Sequence, residues 1–239
     1  MENYIPFCGT PPLPDELWSR WTFDPALLAG LTIALIAGVI AADHKRRFVV
    51  GWALVALLFV SPICAASMAL FSARVGQHVL LTLLAAPVIA SAFRPTSLPP
   101  MPVALAFAGL FWVWHAPAPY QATLESDLIY WSMHLSLLSC AILLFSAMRK
   151  APERALPAAA FTGAQLTVYA SIITLAPAPW HAWHVATTLG YGLSPLADQQ
   201  IAGGLMWVAG GALFMTLIAL MARRFLAQAE REDMQSSAN

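Results

Sequence analysis

Long apolar runs alternate with short polar segments along the whole chain. Seven runs are long enough to cross a bilayer or nearly so: residues 25–42, 48–71, 74–93, 101–117, 127–148, 157–177 and 201–222. A transmembrane helix needs about 20 apolar residues, with about 17 as a working minimum. The pattern therefore predicts an all-α, polytopic membrane protein. We expect a tail over residues 1–24, a seven-helix transmembrane domain over 25–225 and a second tail over 226–239.

Composition agrees with the pattern of runs. Hydrophobic residues make up 59% of the chain and charged residues only 10%, whereas about a quarter of a soluble domain is charged. The twelve basic and twelve acidic residues cancel, so no overall field favours nucleic acid. We therefore expect membrane lipid around the chain and no nucleic-acid partner.

Basic residues lie almost entirely on one side of the predicted bundle. Ten of the twelve follow the first, third, fifth or seventh run: Lys45, Arg46, Arg47, Arg94, Arg149, Lys150, Arg154, Arg223, Arg224 and Arg231. Only Arg20 and Arg74 remain on the other side. Because basic residues concentrate in cytoplasmic loops, the N-terminus is predicted outside and the C-terminus inside.

Histidines show the opposite asymmetry. Five of the six fall at the predicted outer side, namely His78, His115, His134, His181 and His184. At about 1.5 Å per residue, His78 lies roughly 6 Å and His134 roughly 10 Å below the outer mouth. Ionisable groups inside a membrane generally face the bundle interior, so we expect these imidazoles to gather there. A hydrogen bond across a helix interface is the alternative for each one.

Imidazole clusters are typical of metal sites. Neutral imidazole suits zinc, copper, iron and nickel. His181 and His184, three apart, share a face if their segment is helical. Met133 and Met206 lie at comparable depth, and a thioether ligand favours cuprous copper, although packing explains most buried methionines.

Other chemistry is sparse. Cys8, Cys64 and Cys140 are far apart and form no CxxC pattern, so we expect neither a disulfide framework nor a structural zinc site. Cys8 and Cys64 remain soft-ligand candidates on the outer side. No phosphate loop, HExxH or nucleophile elbow is present, and we therefore expect no enzyme activity.

The sequence also predicts how the last span begins and how it packs. Ser194-Pro195 predicts an N-cap followed by proline at the first helical position, with Asp198 in the favourable first turn. Four glycines on that span predict close approach of a neighbouring helix: Gly203, Gly204, Gly210 and Gly211.

Four motifs stand out among these residues: Gln77-His78-Val79-Leu80-Leu81 with Ala86-Pro87, Trp114-His115-Ala116-Pro117 with Tyr120, Tyr130-Trp131-Ser132-Met133-His134-Leu135, and the stretch 192–207, which contains Asp198-Gln199-Gln200-Ile201-Ala202-Gly203-Gly204-Leu205-Met206-Trp207. Together they resemble the multi-pass, CtaG-type cytochrome c oxidase assembly proteins. The last motif is the most specific, because apolar composition alone does not produce it. The similarity runs from about Leu27 to Arg224.

This resemblance implies a seven-helix protein of the bacterial inner membrane that assists maturation of a haem-copper oxidase. Its partners would be cytochrome c oxidase subunits, and its cargo copper, most simply Cu(I). Our hypothesis is transient ligation by His78, His115 and His134, with His181 and His184 as an uptake site. The accessory candidates are Met133, Met206, Asp198 and Gln77.

One position departs from the family pattern. Many members carry His-Met shortly before the Gln-His of the third span, whereas this chain has Arg74-Val75. A copper site that used those two ligands would be reduced here. We expect Arg74 to pair with Asp198 or with an acidic group of a partner.

Three other functions fit parts of the pattern. A membrane cytochrome would use His78 and His134 as axial ligands of b-type haem. A metal permease would need polar residues that continue to the inner side, but the lower halves of the spans, below Cys140, are nearly all aliphatic. A metal-free scaffold for oxidase subunits needs none of the histidines.

Overall fold

Helices and their connections account for the chain as a computed structural model describes it, from residue 4 to residue 237. Residues 1–3 and 238–239, the ends of the two predicted tails, lie outside the described residues, which contain no strand. The helices are α1 (Pro25–Ala41), α2 (Lys45–Val60), α3 (Pro62–Ala69), α4 (Phe71–Ala90), α5 (Pro100–His115), α6 (Pro117–Glu125), α7 (Asp127–Lys150), α8 (Pro152–Leu175), α9 (Pro195–Leu205) and α10 (Gly211–Ser237). The all-α prediction is confirmed.

Short irregular helical turns occur at five places. Three 3₁₀ turns lie outside the long helices, at Leu17–Ser19, Ala182–Val185 and Leu189–Tyr191. A π turn at Leu81–Ala85 lies inside α4, and another at Met206–Gly210 joins α9 to α10. Most of the predicted polar tail is helical, because α10 continues through Ser237.

Length and composition make this a polytopic membrane protein. Four helices are long and apolar enough to cross a bilayer: Phe71–Ala90, Asp127–Lys150, Pro152–Leu175 and Pro195–Leu220. Two bent helix pairs raise the number to six if each pair is one span, and α1 is a shorter apolar helix of 17 residues. The seventh span and the orientation stay predictions. The side chains of Arg224 and Arg231, which the charge pattern assigns to the inner side, lie outside the described part of the structure.

Two prolines break the helices near the predicted outer surface. The run over residues 48–71 was predicted to be continuous, but α2 and α3 meet at Ser61 with a bend of 51°. Pro62 begins α3 directly after the Ser61 cap. Pro117 begins α6 after a bend of 71° from α5. Proline lacks the N–H of the helical hydrogen bond and clashes with the preceding turn, so both breaks follow from local sequence.

A disulfide fastens the N-terminal segment to the helices. Cys8 is bonded to Cys64 in α3, and Phe7 stacks on Tyr130 with ring centroids 5.6 Å apart. The expectation that the cysteines form no disulfide is therefore wrong. Pairing could not be deduced from spacing, because tertiary packing brings together two residues 56 positions apart. Cys140 is a free, buried thiol.

The start of α9 is tied to the start of α4. Ser194 caps α9 as predicted, because its hydroxyl accepts a hydrogen bond from the Ala197 N–H at 3.1 Å. Asp198 is fully buried, and its Oδ2 accepts from the Phe71 N–H at 2.6 Å. Its Oδ1 accepts from the Ser72 N–H at 3.3 Å and from the Ser72 hydroxyl. One carboxylate thus provides the missing cap for α4, the helix that carries His78.

Candidate metal centre

Three helices bring three imidazoles into direct contact. His78 lies in α4, His115 is the last residue of α5, and His134 lies in α7. All three are buried, with 6%, 2% and 1% of their surface exposed. His78 Nδ1 is 3.4 Å from His115 Nε2, and His78 Nε2 is 3.2 Å from His134 Nε2. We call these three residues the inner triplet.

Backbone carbonyls fix the proton positions on two of the rings. His115 Nδ1 is 2.7 Å from the Phe111 carbonyl oxygen, and His134 Nδ1 is 2.9 Å from the Tyr130 carbonyl oxygen. A carbonyl oxygen only accepts hydrogen bonds, so each Nδ1 carries the proton. In the neutral rings, the Nε2 atoms of His115 and His134 therefore present lone pairs to His78.

The inner triplet does not converge on one point. The two nitrogens of His78 face different partners, so its ring stands between His115 and His134. Within residues 4–237, no group of three or more His, Cys, Asp or Glu side chains is arranged to hold one metal ion. The geometry offers instead two adjoining positions, each with two nitrogens.

Only one of these positions adjoins a described cavity that is also lined by a methionine. A small cavity of about 20 Å³ is lined by His78, His115, Thr82, Met206 and Gly210, among others. About 10–15 Å³ of such volume holds one water-sized species. The Thr82 hydroxyl is already engaged, because it donates to the His78 carbonyl at 2.7 Å. Two histidines and one methionine therefore line a space that is large enough for a single ion.

His181 and His184 form a separate outer pair in the segment between α8 and α9. His184 Nε2 is 2.6 Å from the Tyr120 hydroxyl, and its Nδ1 is 3.4 Å from the Ala69 carbonyl oxygen. Neither ring nitrogen of His181 has a hydrogen-bond partner among the described residues. Burial, more than any nearby charge, lowers the pKa of each to about 3. Both rings are therefore neutral at neutral pH, and His181 has both nitrogens unengaged.

Arg74 and Tyr120 were underestimated by sequence reasoning. Arg74 is only 1% exposed and forms no ion pair with Asp198 in the described part of the chain. Its Nη2 donates to the Thr123 hydroxyl at 2.8 Å, and its guanidinium lies 5.1 Å from the Tyr120 ring centroid. The Tyr120 ring in turn lies 3.9 Å from the ring of His181. The sequence did offer a signal for a buried role of Arg74, because a basic residue stands at the start of an apolar run.

The remaining accessory candidates have other partners. Met133 is fully buried, but it precedes His134 by one position and so points about 100° away around the helix. Gln77 donates to the Leu58 carbonyl at 2.8 Å, and its Oε1 has no hydrogen-bond partner among the described residues. Both oxygens of Asp198 are engaged at the start of α4. Of the four, only Met206 lines the cavity with the imidazoles.

Two further side chains fix the outer segment, and sequence reasoning gave neither a role. Trp183 donates its indole N–H to the Met68 carbonyl at 2.9 Å. Gln199 accepts from the Trp180 N–H at 2.7 Å and donates to the Ile173 carbonyl at 2.9 Å. A polar amide inside the most specific family motif was a signal for Gln199. These contacts hold the outer pair over the bundle.

Comparison with known proteins gives one match. Residues 37–228 match the profile of the family described as cytochrome c oxidase caa3 assembly factor (Caa3_CtaG). No curated protein and no solved structure matches the chain. The match covers well over half of the chain, includes all four sequence motifs and confirms the resemblance that they indicated. The chain belongs to the cytochrome c oxidase caa3 assembly factor family.

Proposed function

We propose that this membrane protein holds cuprous copper between His78 and His115 and passes it to cytochrome c oxidase during assembly. Copper is cargo in this proposal, and the protein performs no catalysis of its own. The observation that carries the proposal is the pair of nitrogen–nitrogen contacts within the inner triplet, which together need more protons than the neutral rings carry.

A neutral inner triplet cannot satisfy both of its contacts. The Nε2 lone pairs of His115 and His134 face the two nitrogens of His78, and a neutral imidazole carries only one N–H. One contact is therefore an N–H···N hydrogen bond, and the other brings two lone pairs together. A cation between the two lone pairs removes this conflict, because each then donates electron density to it.

The side of His78 that faces His115 suits the ion. There the nitrogens are 3.4 Å apart, and the cavity is lined by Met206 as well. Metal–nitrogen bonds of about 2.0 Å at trigonal or tetrahedral angles separate ligand nitrogens by roughly 3.3–3.5 Å. The two imidazoles hold the ion and leave a third position open, and the Met206 thioether beside them is a soft donor of the kind that favours Cu(I).

His134 then has a defined supporting role. With the ion on His78 Nδ1, the proton of His78 is on Nε2 and is donated to His134 Nε2 across 3.2 Å. Metal-bound histidines usually donate their other N–H in this way, which fixes the ring and its tautomer. All nitrogens of the inner triplet are then satisfied.

Arg74 favours a monovalent cargo. It precedes His78 by four positions on α4, so the two side chains share a helix face. Its buried guanidinium repels any cation held nearby, and the repulsion rises with the charge of the ion. Cu(I) is therefore penalised less than a divalent ion such as zinc.

The disulfide supports the predicted orientation. Cys8 and Cys64 are bonded, and disulfides persist in oxidising compartments such as the bacterial periplasm. We therefore propose that the histidines lie at the periplasmic face of the bacterial inner membrane. The proposal includes seven spans with α1 as the first, a periplasmic tail over residues 1–24 and a cytoplasmic tail over residues 226–239. His181 is the better uptake ligand of the outer pair, because both of its nitrogens are unengaged.

Copper binding by single-histidine variants tests the proposal. Purified protein is titrated with Cu(I) in competition with a cuprous chelator, and oxidase copper is measured in cells that produce each variant. His78→Ala and His115→Ala should lose the bound copper and lower oxidase copper at unchanged protein level. His44→Ala is the matched control, because His44 lies at the start of α2, outside both histidine groups. If His78→Ala and His115→Ala bind copper like the unmodified protein, or the unmodified protein binds none, a metal-free scaffold is the better explanation.

The haem alternative conflicts with the geometry. Axial histidines lie on opposite faces of a porphyrin, with the macrocycle between them. His78 and His134 touch directly, with their Nε2 atoms 3.2 Å apart, which leaves no room for the ring. A Soret band in the purified protein would overturn this conclusion.

A further inference from the structure

The cavity beside the inner triplet shares a wall with a crevice on the outside of the bundle. This crevice, of about 400 Å³, lies between α8 and the segment formed by the second π turn and α10. Leu166, Met206 and Gly210 line both spaces. Met206 itself is only 6% exposed, whereas Val208 in the same π turn is 75% exposed. Met206 therefore separates the space beside the imidazoles from the surface that faces lipid.

Packed side chains fix the outer segment, which is the uptake side in the proposed function. The N-terminal segment is bonded to α3 through Cys8 and Cys64. The ring of Phe71 lies 4.5 Å from that of His181, and the Tyr120 hydroxyl contacts His184. These contacts pack the outer segment against the starts of α4 and α6.

We propose that copper leaves sideways, through the wall formed by Met206, and that the Met206 thioether is the relay ligand. This inference rests on the proposed copper role and adds the direction in which copper leaves the inner triplet. The step is a ligand exchange in which a Cu–S bond to Met206 forms as a Cu–N bond to His115 breaks. Copper stays cuprous throughout, so no oxidant or reductant is required. The acceptor is a ligand of the oxidase presented in the crevice.

Local structure around Met206 suits this role. It is the first residue of the π turn Met206–Gly210, and π turns inside helices are frequent at functional sites. An ideal side-chain carbon added at Gly211 meets no atom within 4 Å, so the outer side of the crevice is open. Gly163 lines the opposite side, where an added side-chain carbon would lie 2.9 Å from the Phe214 ring, so α8 and α10 already approach closely there. An open small residue such as Gly211 lets another membrane helix approach closely.

A second groove reaches the inner triplet but lacks a suitable relay ligand. It has a volume of about 320 Å³, lies between α1, α2 and α7, and is lined by Trp52, Phe59, Trp131 and His134, among others. Sulfur is absent from the lining of this groove, and His134 has both nitrogens engaged by Tyr130 and His78. Copper that left through this groove would have no free donor atom to receive it.

Replacement of one buried methionine at a time tests the relay. Met206→Leu keeps the side-chain volume but removes the sulfur, and Met133→Leu is the matched control. Each variant is loaded with Cu(I) and mixed with copper-depleted caa3 oxidase, and the copper content of the oxidase is followed over time. We expect Met206→Leu to load normally but to transfer copper about tenfold more slowly, the lower end of losses seen when a supporting group of a metal site is removed. Unchanged transfer, or a variant that cannot be loaded, would overturn the relay role.

Blocking the crevice and the groove one at a time tests the direction of copper exit. Gly211→Phe fills the crevice at α10, and Gly30→Phe fills the groove at α1. Both glycines have open space where a side chain would start, so both variants should fold. We expect slow transfer with Gly211→Phe and normal transfer with Gly30→Phe. The reverse result, or normal transfer with both, would refute a lateral exit at Met206. If the unmodified protein cannot be loaded with copper, it is the proposed function that fails.

Discussion

A single added methyl group at Gly203 should push α8 and α9 apart, whereas the same group at neighbouring Gly204 should not. A side-chain carbon built at Gly203 lies 1.9 Å from Thr174 Oγ1 and 2.9 Å from the Ala170 carbonyl oxygen in α8. The backbone oxygen cannot rotate away, so the helices themselves must shift. A carbon at Gly204 meets nothing within 4 Å.

The expected magnitude follows from two opposing effects. Alanine in place of glycine stabilises a helix by about 0.5–1 kcal/mol, and this gain applies to both positions. Overpacking costs about 1–3 kcal/mol, and it applies to Gly203 alone. The difference between Gly203→Ala and Gly204→Ala is therefore about 1–3 kcal/mol and isolates the close approach of α8 and α9.

Thermal unfolding in detergent measures this difference. For a chain of this size, 1 kcal/mol shifts the midpoint by roughly 2–4 °C, so Gly203→Ala should unfold several degrees below Gly204→Ala. Tryptophan fluorescence and retention of a monodisperse peak after heating provide two independent readouts. Equal midpoints for the two variants would refute the reasoning, because they would mean that the helices are not in contact at Gly203.

Three further predictions concern the elements around the inner triplet. Asp198→Ala leaves three buried donors without an acceptor at roughly 1–3 kcal/mol each, so its thermal midpoint should fall sharply, whereas the exposed carboxylate control Glu125→Ala should match the unmodified protein. His134→Gln should weaken Cu(I) affinity by about 10- to 100-fold without abolishing it, as measured by chelator competition; complete loss would make His134 a direct ligand. Cys8→Ser removes a disulfide that closes a loop of 56 residues and should lower stability by about 4 kcal/mol, with Cys140→Ser as the control; equal midpoints for the two would show that the bond is not formed.

Local sequence predicted the positions of the helices better than the points at which a helix bends or breaks. Seven apolar runs correspond to helices, and the Ser194 cap of α9 forms as expected. The bend at Ser61 was missed, although Pro62 carries the signal, because hydropathy averages over a window and does not register one missing N–H. Charge counting likewise left Arg74 as an outer charge, whereas burial at 1% exposure makes it part of the site.

The sequence by itself determined that this is a helical membrane protein and that its motifs are those of an oxidase assembly family, and it predicted five histidines toward one side. Hydropathy, charge and motif are properties of neighbouring residues, so the linear chain contains them. Only the tertiary structure decided that His78 stands between two other imidazoles, that Met206 shares their cavity and that Cys8 meets Cys64. These contacts join residues 37 or more positions apart, and the packing of whole helices sets them.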